Sequence, residues 1–431
     1  MSRLLTARPT GRFSELYLVL WAGPPAAAGL AVLSYVRSGE VPPSALQPAL
    51  VLLINLLALH FWLSFIGSRS DQLLLPTVGG LTAIGLVFVA RLDPDSLWRQ
   101  TAWVALGAGG GAVLLAFLGE PAWLKRYKYT WAVLGLAIAA ATIVLGRDPH
   151  GGGASLWVKF GPVMFQPGEV LKVLLVAFLA GYLDDKRELL SSASYRLGPL
   201  RLPPLPYLGP LALMLGATLG LLALQKDLGL ALLLFGLFLT MLYVASSRLI
   251  YVWGGLTMFG AGAYVIYRFF PYVQTRIHGW LDPWYDPEGG SYQMVQALLA
   301  IGNGRLLGTG LGRGQPTLVP AAVTDFPFAA IAEELGLVGA VAVIALYLIL
   351  VYRGYRIALA AFDPFQQLLA TGLTTVLALQ VLIIVGGNIK LIPLTGITLP
   401  FISYGGSSLL INYAIVSMLL AISDRSARQA S

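Results

Sequence analysis

Twelve apolar runs, each about as long as a helix that crosses a bilayer, constrain this chain more than any other feature of its sequence. A membrane-spanning helix needs roughly 20 apolar residues. The runs lie at 15–36, 46–67, 73–91, 100–119, 128–146, 169–184, 205–224, 228–245, 249–269, 329–352, 366–387 and 405–422. Because a bilayer offers no water to satisfy backbone groups, runs of this length predict helices. We therefore expect an all-α polytopic membrane protein with about 12 transmembrane helices.

The composition excludes several other classes of protein. Of 431 residues, 57% are hydrophobic and 11% are charged, whereas a soluble domain carries about 25% charged residues. The chain has no Cys and three scattered His, which excludes disulfides and Cys-based zinc sites and argues against a His-based one. A net charge of +8 would suggest nucleic acid for a soluble protein. Here the basic residues occupy short loops, so anionic lipid headgroups are the expected partner and nucleic acid is not.

Basic residues also predict the orientation of the chain in the membrane. An even number of helices places both termini on one side. The N-terminal Arg residues and the basic clusters at 125–128, 184–188, 352–356 and 424–428 all fall on that side, which the positive-inside rule assigns to the cytoplasm. The first run is too long for a cleaved signal peptide and is expected to be retained as a helix.

Two segments on the opposite side are long enough to suggest a function. They are 147–168 and 270–328, and the second is rich in Trp, Tyr, Gly and Pro. This composition indicates a segment folded onto the membrane surface. Within it, residues 291–302 predict a short amphipathic helix at the interface.

Charged residues at the ends of the apolar runs are candidates for chemistry. Glu169 and Lys172 lie three residues apart and therefore share a helix face. An ionisable pair in a membrane segment suggests a functional site, although an ion pair that pins two helices would look the same. Lys226 and Asp227 occupy a short turn, where Asp227 is expected to be a solvated helix cap.

Asp325 stands just before another apolar run. Pro327 fits the first turn of a helix, so Thr324 or Asp325 is the expected N-cap. A carboxylate in this place could also be an ion ligand or a catalytic base, and the local sequence leaves these alternatives open. Glu333 and Glu334 follow in the same run and are interpreted as polar packing residues.

Two irregular stretches complete the set of candidates. Residues 302–316 are rich in glycine and contain Arg305 and Arg313, which could bring backbone N–H and guanidinium groups up to a phosphate. Residues 388–410 are broken by Pro and Gly, and such backbone is tolerated at membrane depth only inside protein or beside a cavity. Ser403 and Tyr404 would face that cavity, or would form a polar seam between helices.

Four motifs occur together and in order: "FQPGEVLK" (165–172), "DPWYDPEGGSYQMVQALLAIGNG" (282–304), "TDFPFAAIAEELG" (324–336) and "PLTGITLPFISYGGSSLL" (393–410). In these motifs the chain resembles the SEDS family (shape, elongation, division and sporulation), to which RodA and FtsW belong. The resemblance covers about 73–423. The family usually has ten spanning helices, and the two additional helices here are similar to those of longer RodA-like members. We therefore divide the chain into an N-terminal extension (1–72), a core (73–423) and a cytoplasmic tail (424–431).

The resemblance implies a peptidoglycan glycosyltransferase of the bacterial cytoplasmic membrane. Its substrate would be lipid II, a disaccharide-pentapeptide on undecaprenyl diphosphate, and its partner a class B penicillin-binding protein. The family's essential acid falls on Asp325, and the glutamate of its Gln-Pro-x-Glu motif and the lysine that follows fall on Glu169 and Lys172.

The chemistry of this reaction assigns roles to the candidate residues. Asp325 is expected to be the general base on the acceptor hydroxyl. The residues expected to bind substrate are Glu169, Lys172, Arg276, Arg305, Arg313, Ser403 and Tyr404. The sequence leaves open a divalent cation, Mg²⁺ or Mn²⁺, at Asp325, and whether the protein serves elongation, division or sporulation. The alternative functions are a lipid II flippase or transporter and a non-catalytic scaffold for the transpeptidase.

Overall fold

The protein is built almost entirely from helices. The computed structural model describes residues 11–117, 122–147, 156–161, 163–191, 195–197, 200–202 and 205–430. The helices are α1 (Phe13–Leu20), α2 (Gly23–Ser38), α3 (Gln47–Phe65), α4 (Leu74–Leu92), α5 (Leu97–Phe117), α6 (Ala122–Arg126), α7 (Lys128–Leu145), α8 (Pro167–Ser191), α9 (Leu205–Leu224), α10 (Leu228–Ser246), α11 (Leu249–Phe269), α12 (Pro271–Leu281), α13 (Tyr292–Gly304), α14 (Pro327–Ala360), α15 (Pro364–Asn388) and α16 (Gly406–Gln429).

Two short antiparallel hairpins flank α8. They pair β1 (Val158–Phe160) with β2 (Val163–Phe165), and β3 (Tyr195–Leu197) with β4 (Leu200–Leu202). The first hairpin lies in the predicted loop 147–168, of which 148–155 and 162 lie outside the described residues.

The membrane-spanning prediction agrees with these helices. Each of the predicted runs falls in a helix, with α1 and α2 sharing the first. Within the described residues, nine helical segments are long and apolar enough to cross a membrane, and Leu208–Leu224 in α9 is a shorter apolar helix. The remaining two of the twelve predicted runs, 100–119 and 169–184, correspond to α5 and α8. The prediction of an all-α polytopic membrane protein is confirmed.

Burial separates central helices from peripheral ones. In α4, 83% of the apolar stretch is buried inside the protein, and the apolar stretches of α10, α15 and α16 are also mostly buried. By contrast, only 6% of the apolar stretch of α11 is buried. Because apolar side chains on a spanning helix are stable against lipid, α11 fits a lipid-facing position.

The N-terminal extension packs onto the core through α4 and α5. Its first helix is fixed by a buried polar network in which Glu15 accepts hydrogen bonds from Arg12 and lies 2.7 Å from His60 Nδ1. Arg12 also donates to the carbonyl of Ser68, at 3.0 Å, in the connection before α4. This network lies within the extension, and Asp71 ties the extension to the core by accepting a hydrogen bond from Arg353 Nε at 2.8 Å.

The predicted cytoplasmic tail (424–431) is helical as far as Gln429, where α16 ends. Asp424 and Arg428 form an i,i+4 ion pair at 2.7 Å, which supports the last turn of a helix. Arg428 also donates to the carbonyl of Gly67 at 3.1 Å. The C-terminal end is thus a helix docked on the connection between α3 and α4.

The long segment 270–328 is folded, as its composition predicts. It contains α12 and α13, and the predicted amphipathic helix at 291–302 is α13. One face of α13 buries Met294, Val295 and Ala297, while Gln293 is exposed. This buried face packs on α14.

Candidate active site

Asp325 lies at the end of a tight turn that leads into α14. The N–H groups of Thr324 and Asp325 both donate to the carbonyl of Ala321, at 3.1 and 2.9 Å. Pro327 occupies the first turn, as predicted, but the N-cap residue is Phe326, which provides no side-chain cap. The prediction that Thr324 or Asp325 is the N-cap is wrong, because the turn places both residues before the cap position.

Asn388, the last residue of α15, provides the missing cap from another helix. Its Oδ1 accepts a hydrogen bond from the N–H of Ala329 at 3.3 Å. This N–H is one of the groups that a helix start leaves without an intrahelical partner. Asn388 is 0% exposed, so both ends of its amide are committed to protein. Asn388 therefore caps this end of the helix from α15.

Three consecutive backbone carbonyls before α14 are fixed by residues from the C-terminal part of the chain. The pairs are Tyr404 N to Val323 O at 2.9 Å, Ser403 Oγ to Thr324 O at 2.6 Å, and Asn388 Nδ2 to Asp325 O at 2.8 Å. Ser403 is buried, and its Oγ also accepts from the N–H of Leu399 at 2.8 Å. The broken stretch after α15 thus holds the backbone of the acid in place.

A buried series of polar contacts begins at Glu169 and Lys172, the charged pair predicted from the sequence. Lys172 Nζ lies 2.6 Å from Glu169 Oε2 and donates to Gln380 Oε1 at 3.1 Å. Gln380 Nε2 in turn donates to the carbonyl of Thr398 at 2.9 Å. Lys172 is 1% exposed, and such a buried cation is tolerated only with partners of this kind. The pair therefore joins α8 to α15 and to the broken stretch.

Asp227 belongs to the same charged cluster. It caps α10, as predicted, by accepting from the N–H of Leu230 at 2.9 Å, but it is 7% exposed, so the prediction of a solvated turn is wrong. Burial raises the pKa of the Asp227 carboxyl; the Leu230 hydrogen bond and the charges of Arg276 and Lys172 lower it, while Glu169 raises it. Protonation of Asp227 would leave two cations facing one carboxylate.

Residues 395–398 lie between Asp325 and this cluster. A Cβ atom built on Gly396, which has φ +75°, would lie 3.6 Å from Asp325 Oδ2. On the other side, a Cβ on Gly229 in α10 would lie 2.8 Å from the carbonyl oxygen of Thr395. Gly396 favours glycine through its positive φ and Gly229 through its close approach, so one thin backbone segment lies near both Asp325 and the start of α10.

The helix that follows Asp325 is broken at Gly336, which adopts φ +67° and ψ −170°. Residues 327–335 therefore form a half-helix, and 337–360 form the rest of α14. The backbone groups released by the break pair with residues 305–310. These pairs are Leu337 N to Arg305 O at 3.0 Å, Val338 N to Leu306 O at 3.2 Å, Thr309 N to Glu333 O at 2.9 Å and Gly310 N to Glu334 O at 3.0 Å.

Glu333 and Glu334 are buried and anchor residues 308–315, hereafter the glycine loop. Their carboxylates accept from Gln315 N at 3.0 Å and Gly312 N at 2.9 Å, respectively. Arg91 of α4 pairs with Glu334 at 2.7 Å and donates to the carbonyl of Gly314 at 2.8 Å. Both acids are therefore polar packing residues, as interpreted from the sequence, and they pack against the glycine loop.

Arg305 and Arg313 lie away from the charged cluster. The backbone of Arg305 attaches at the Gly336 end of the half-helix, about 12 Å from its start at a rise of 1.5 Å per residue. Arg313 follows Gly312, whose N–H is held by Glu334 near the same end. Both side chains are exposed. Among the predicted substrate-binding residues, the structure gathers Glu169, Lys172 and Arg276 around Asp227. Arg305 and Arg313 instead lie at the far end.

Sequence reasoning missed three residues that shape this site: Asn388, Gln380 and Arg91. Each lies in an apolar run or at its end, where a lone polar residue predicts only that a partner exists. Their partners lie far away in the chain, so no local pattern could identify them.

The FtsW/RodA/SpoVE family of cell cycle proteins matches residues 72–428 of this chain. The peptidoglycan glycosyltransferase RodA of Mycobacterium tuberculosis is 40% identical over 431 residues, which covers 97% of this chain and 92% of that protein. The sequence resemblance is confirmed by both findings.

Two solved structures have the same fold. A peptidoglycan synthase complex, described as coordinating polymerization and crosslinking, contains a chain with a TM-score of 0.68 and 28% identity, covering 83% of this chain and 98% of that one. The rod shape determining protein RodA of Thermus thermophilus has a TM-score of 0.57 and 28% identity, covering 82% and 97%. This chain therefore belongs to the FtsW/RodA/SpoVE family.

Proposed function

We propose that this protein is a peptidoglycan glycosyltransferase that polymerises lipid II at the outer face of the bacterial cytoplasmic membrane, with both termini in the cytoplasm. The observation that carries the proposal is the setting of Asp325. Asn388 caps the helix that follows it, and Asn388 also holds the backbone of Asp325 near the charged cluster of Glu169, Lys172 and Asp227. The names of the RodA relatives support the reaction type.

In this proposal Asp325 is the general base. It takes the proton from the sugar hydroxyl of the acceptor as that oxygen attacks the anomeric carbon of the donor. The bond from this carbon to the diphosphate oxygen breaks on the opposite face, so the configuration inverts and undecaprenyl diphosphate leaves. A positioned base of this kind contributes about 10²- to 10⁴-fold to a rate.

The departing diphosphate develops negative charge that needs cations. Lys172 and Arg276 are the cations of the charged cluster, and Glu169 orients Lys172 through its ion pair. Arg305 and Arg313, at the far end of the half-helix, suit a more distant part of the same long substrate. Ser403 and Tyr404 act by positioning the backbone before Asp325.

A divalent cation fits this site only together with substrate. Among the described residues, no group of three or more His, Cys, Asp or Glu side chains is arranged to hold a metal. Mg²⁺ is commonly held by one or two carboxylates plus substrate phosphates. Asp325 would supply the carboxylate, and the ion would stabilise the charge of the diphosphate.

The partner in this proposal is a class B penicillin-binding protein, which would crosslink the new strand. The similarity to a chain of a synthase complex supports this choice.

The test is polymerisation of labelled lipid II by the purified full-length protein together with this transpeptidase. The wild type should produce glycan strands, and Asp325→Asn should lower the rate at least about 10²-fold. Glu288→Gln, which removes an exposed carboxylate elsewhere in the outer segment, is the matched control and should remain active.

The result also separates the alternative functions. Lipid II movement in vesicles without any polymer would indicate a transporter. Near-normal polymerisation by Asp325→Asn would return Asp325 to a structural role. Normal growth of cells that carry Asp325→Asn as the sole copy would indicate a scaffold.

A further inference from the structure

The end of α2, in the N-terminal extension, packs directly against the glycine loop. A Cβ atom on Gly312 would lie 3.3 Å from Val36 Cγ1 and 3.4 Å from Leu33 Cδ2. Gly312 also has φ +81°, a conformation that glycine adopts without strain. A side chain at this position would therefore be crowded against α2.

The same residue is held from the other side by the core. The N–H of Gly312 donates to Glu334, and Arg91 links Glu334 to the carbonyl of Gly314. The extension also reaches this region through Arg37, which donates to the carbonyl of Ala90 at 3.3 Å. Gly312 is thus enclosed between α2 and the Arg91–Glu334 pair.

We infer that the N-terminal extension holds the glycine loop in its working conformation, with Leu33 and Val36 as the positioning residues. The loop needs such support because three of its glycines have positive φ, and a glycine-rich backbone loses much entropy when it is ordered. The family match begins at residue 72, so Leu33 and Val36 lie outside the shared core. The meaning of this support for catalysis rests on the proposed function, because the loop carries Arg313.

Hydrogen exchange of the full-length protein tests the contact directly. In Leu33→Ala/Val36→Ala, amides of the glycine loop should exchange about fivefold or more faster, because local opening becomes easier. Val36→Ala alone should give a smaller effect in the same peptides. Val32→Ala is the matched control, since Val32 lies one turn earlier with the same 44% exposure and is not among the atoms nearest Gly312.

Polymerisation kinetics test the consequence. The double variant should raise the KM for lipid II about three- to tenfold with kcat within about twofold, as expected when binding alone is weakened. Val36→Ile should retain wild-type values of both exchange and KM. Faster exchange in α15 would mark a general loss of fold, in which case the single variant Val36→Ala decides.

Unchanged exchange in the glycine loop would overturn the inference, whatever the activity. Faster exchange with an unchanged KM would overturn the link to substrate binding. If the wild type makes no polymer at all, the proposed function fails, while the exchange data still decide whether the extension holds the loop.

Discussion

Removing the Asn388 side chain should destabilise the start of α14 while leaving the Asp325 carboxylate chemically intact. Asn388→Ala deletes the cap on the N–H of Ala329, which contributes about 1 kcal/mol. It also deletes the hydrogen bond to the carbonyl of Asp325, which contributes about 1 kcal/mol. Because Asn388 is fully buried, water cannot replace either contact, and we expect a loss of about 2 kcal/mol or more.

Substitutions of Asp325 should show the opposite pattern. Since Asn388 caps the start of α14 from another helix, Asp325→Ala should destabilise the protein less than Asn388→Ala does. Asp325→Asn should nevertheless lower polymerisation at least about 10²-fold, because its amide cannot accept the proton. Asn388→Ala should keep measurable activity at low temperature, where the fold persists.

Thermal unfolding of the detergent-purified full-length variants, followed by lipid II polymerisation below each transition, measures both effects. If Asp325→Ala destabilised the protein as much as a lost cap and Asn388→Ala had no effect, the carboxylate would be the cap after all. The assignment of the cap to Asn388 would then be refuted.

Three further predictions concern other parts of the site. Arg91→Gln should destabilise the protein by about 3 kcal/mol in thermal unfolding, because Glu334 is left as a buried charge without its ion pair. An additional Glu334→Gln should recover part of the loss. An Arg91→Gln variant as stable as the wild type would contradict this reasoning. Gly336→Ala should destabilise the protein by at least about 1–2 kcal/mol from its positive φ, and further because a Cβ would collide with the backbone of Gly308; unfolding at the wild-type temperature would disprove the need for the break. Burial raises the folded-state pKa of Asp227 above its unfolded value of 3.8, so the folded protein holds this proton more tightly and stability falls as pH rises from 3.8 through the raised pKa. Asp227→Asn keeps a capping side chain and should remove that slope from a plot of stability against pH; an identical slope in both proteins would exclude Asp227 as its source.

Much of the fold follows from the sequence, because one physical requirement acts on each helix separately. A run of apolar residues long enough for the bilayer must satisfy its own backbone, so each span is visible without knowledge of its neighbours. The break at Gly336 is the exception. A single glycine in an apolar run is usually tolerated in a helix, and the compensating carbonyl of Arg305 comes from another segment.

The site could be predicted only in part. The motifs around Asp325 and Glu169 identified the acids through the family resemblance, but not their surroundings. The sequence neighbours of Asp227 predict a solvated turn, but tertiary packing buries it. Asn388 competes with Asp325 for the cap from another helix, which local capping rules cannot anticipate.

The contacts before α14 also set an order of assembly during synthesis. Asn388 follows Asp325 by 63 residues and Ser403 follows Thr324 by 79. At ordinary translation rates the ribosome needs about 3–13 s to add the first of these intervals. During that time the half-helix is already made, yet the residues that cap it and fix its acid have not been synthesised. The candidate active site therefore forms only when the last two helices enter the membrane, and a ribosome-bound chain that stops before α15 cannot contain it.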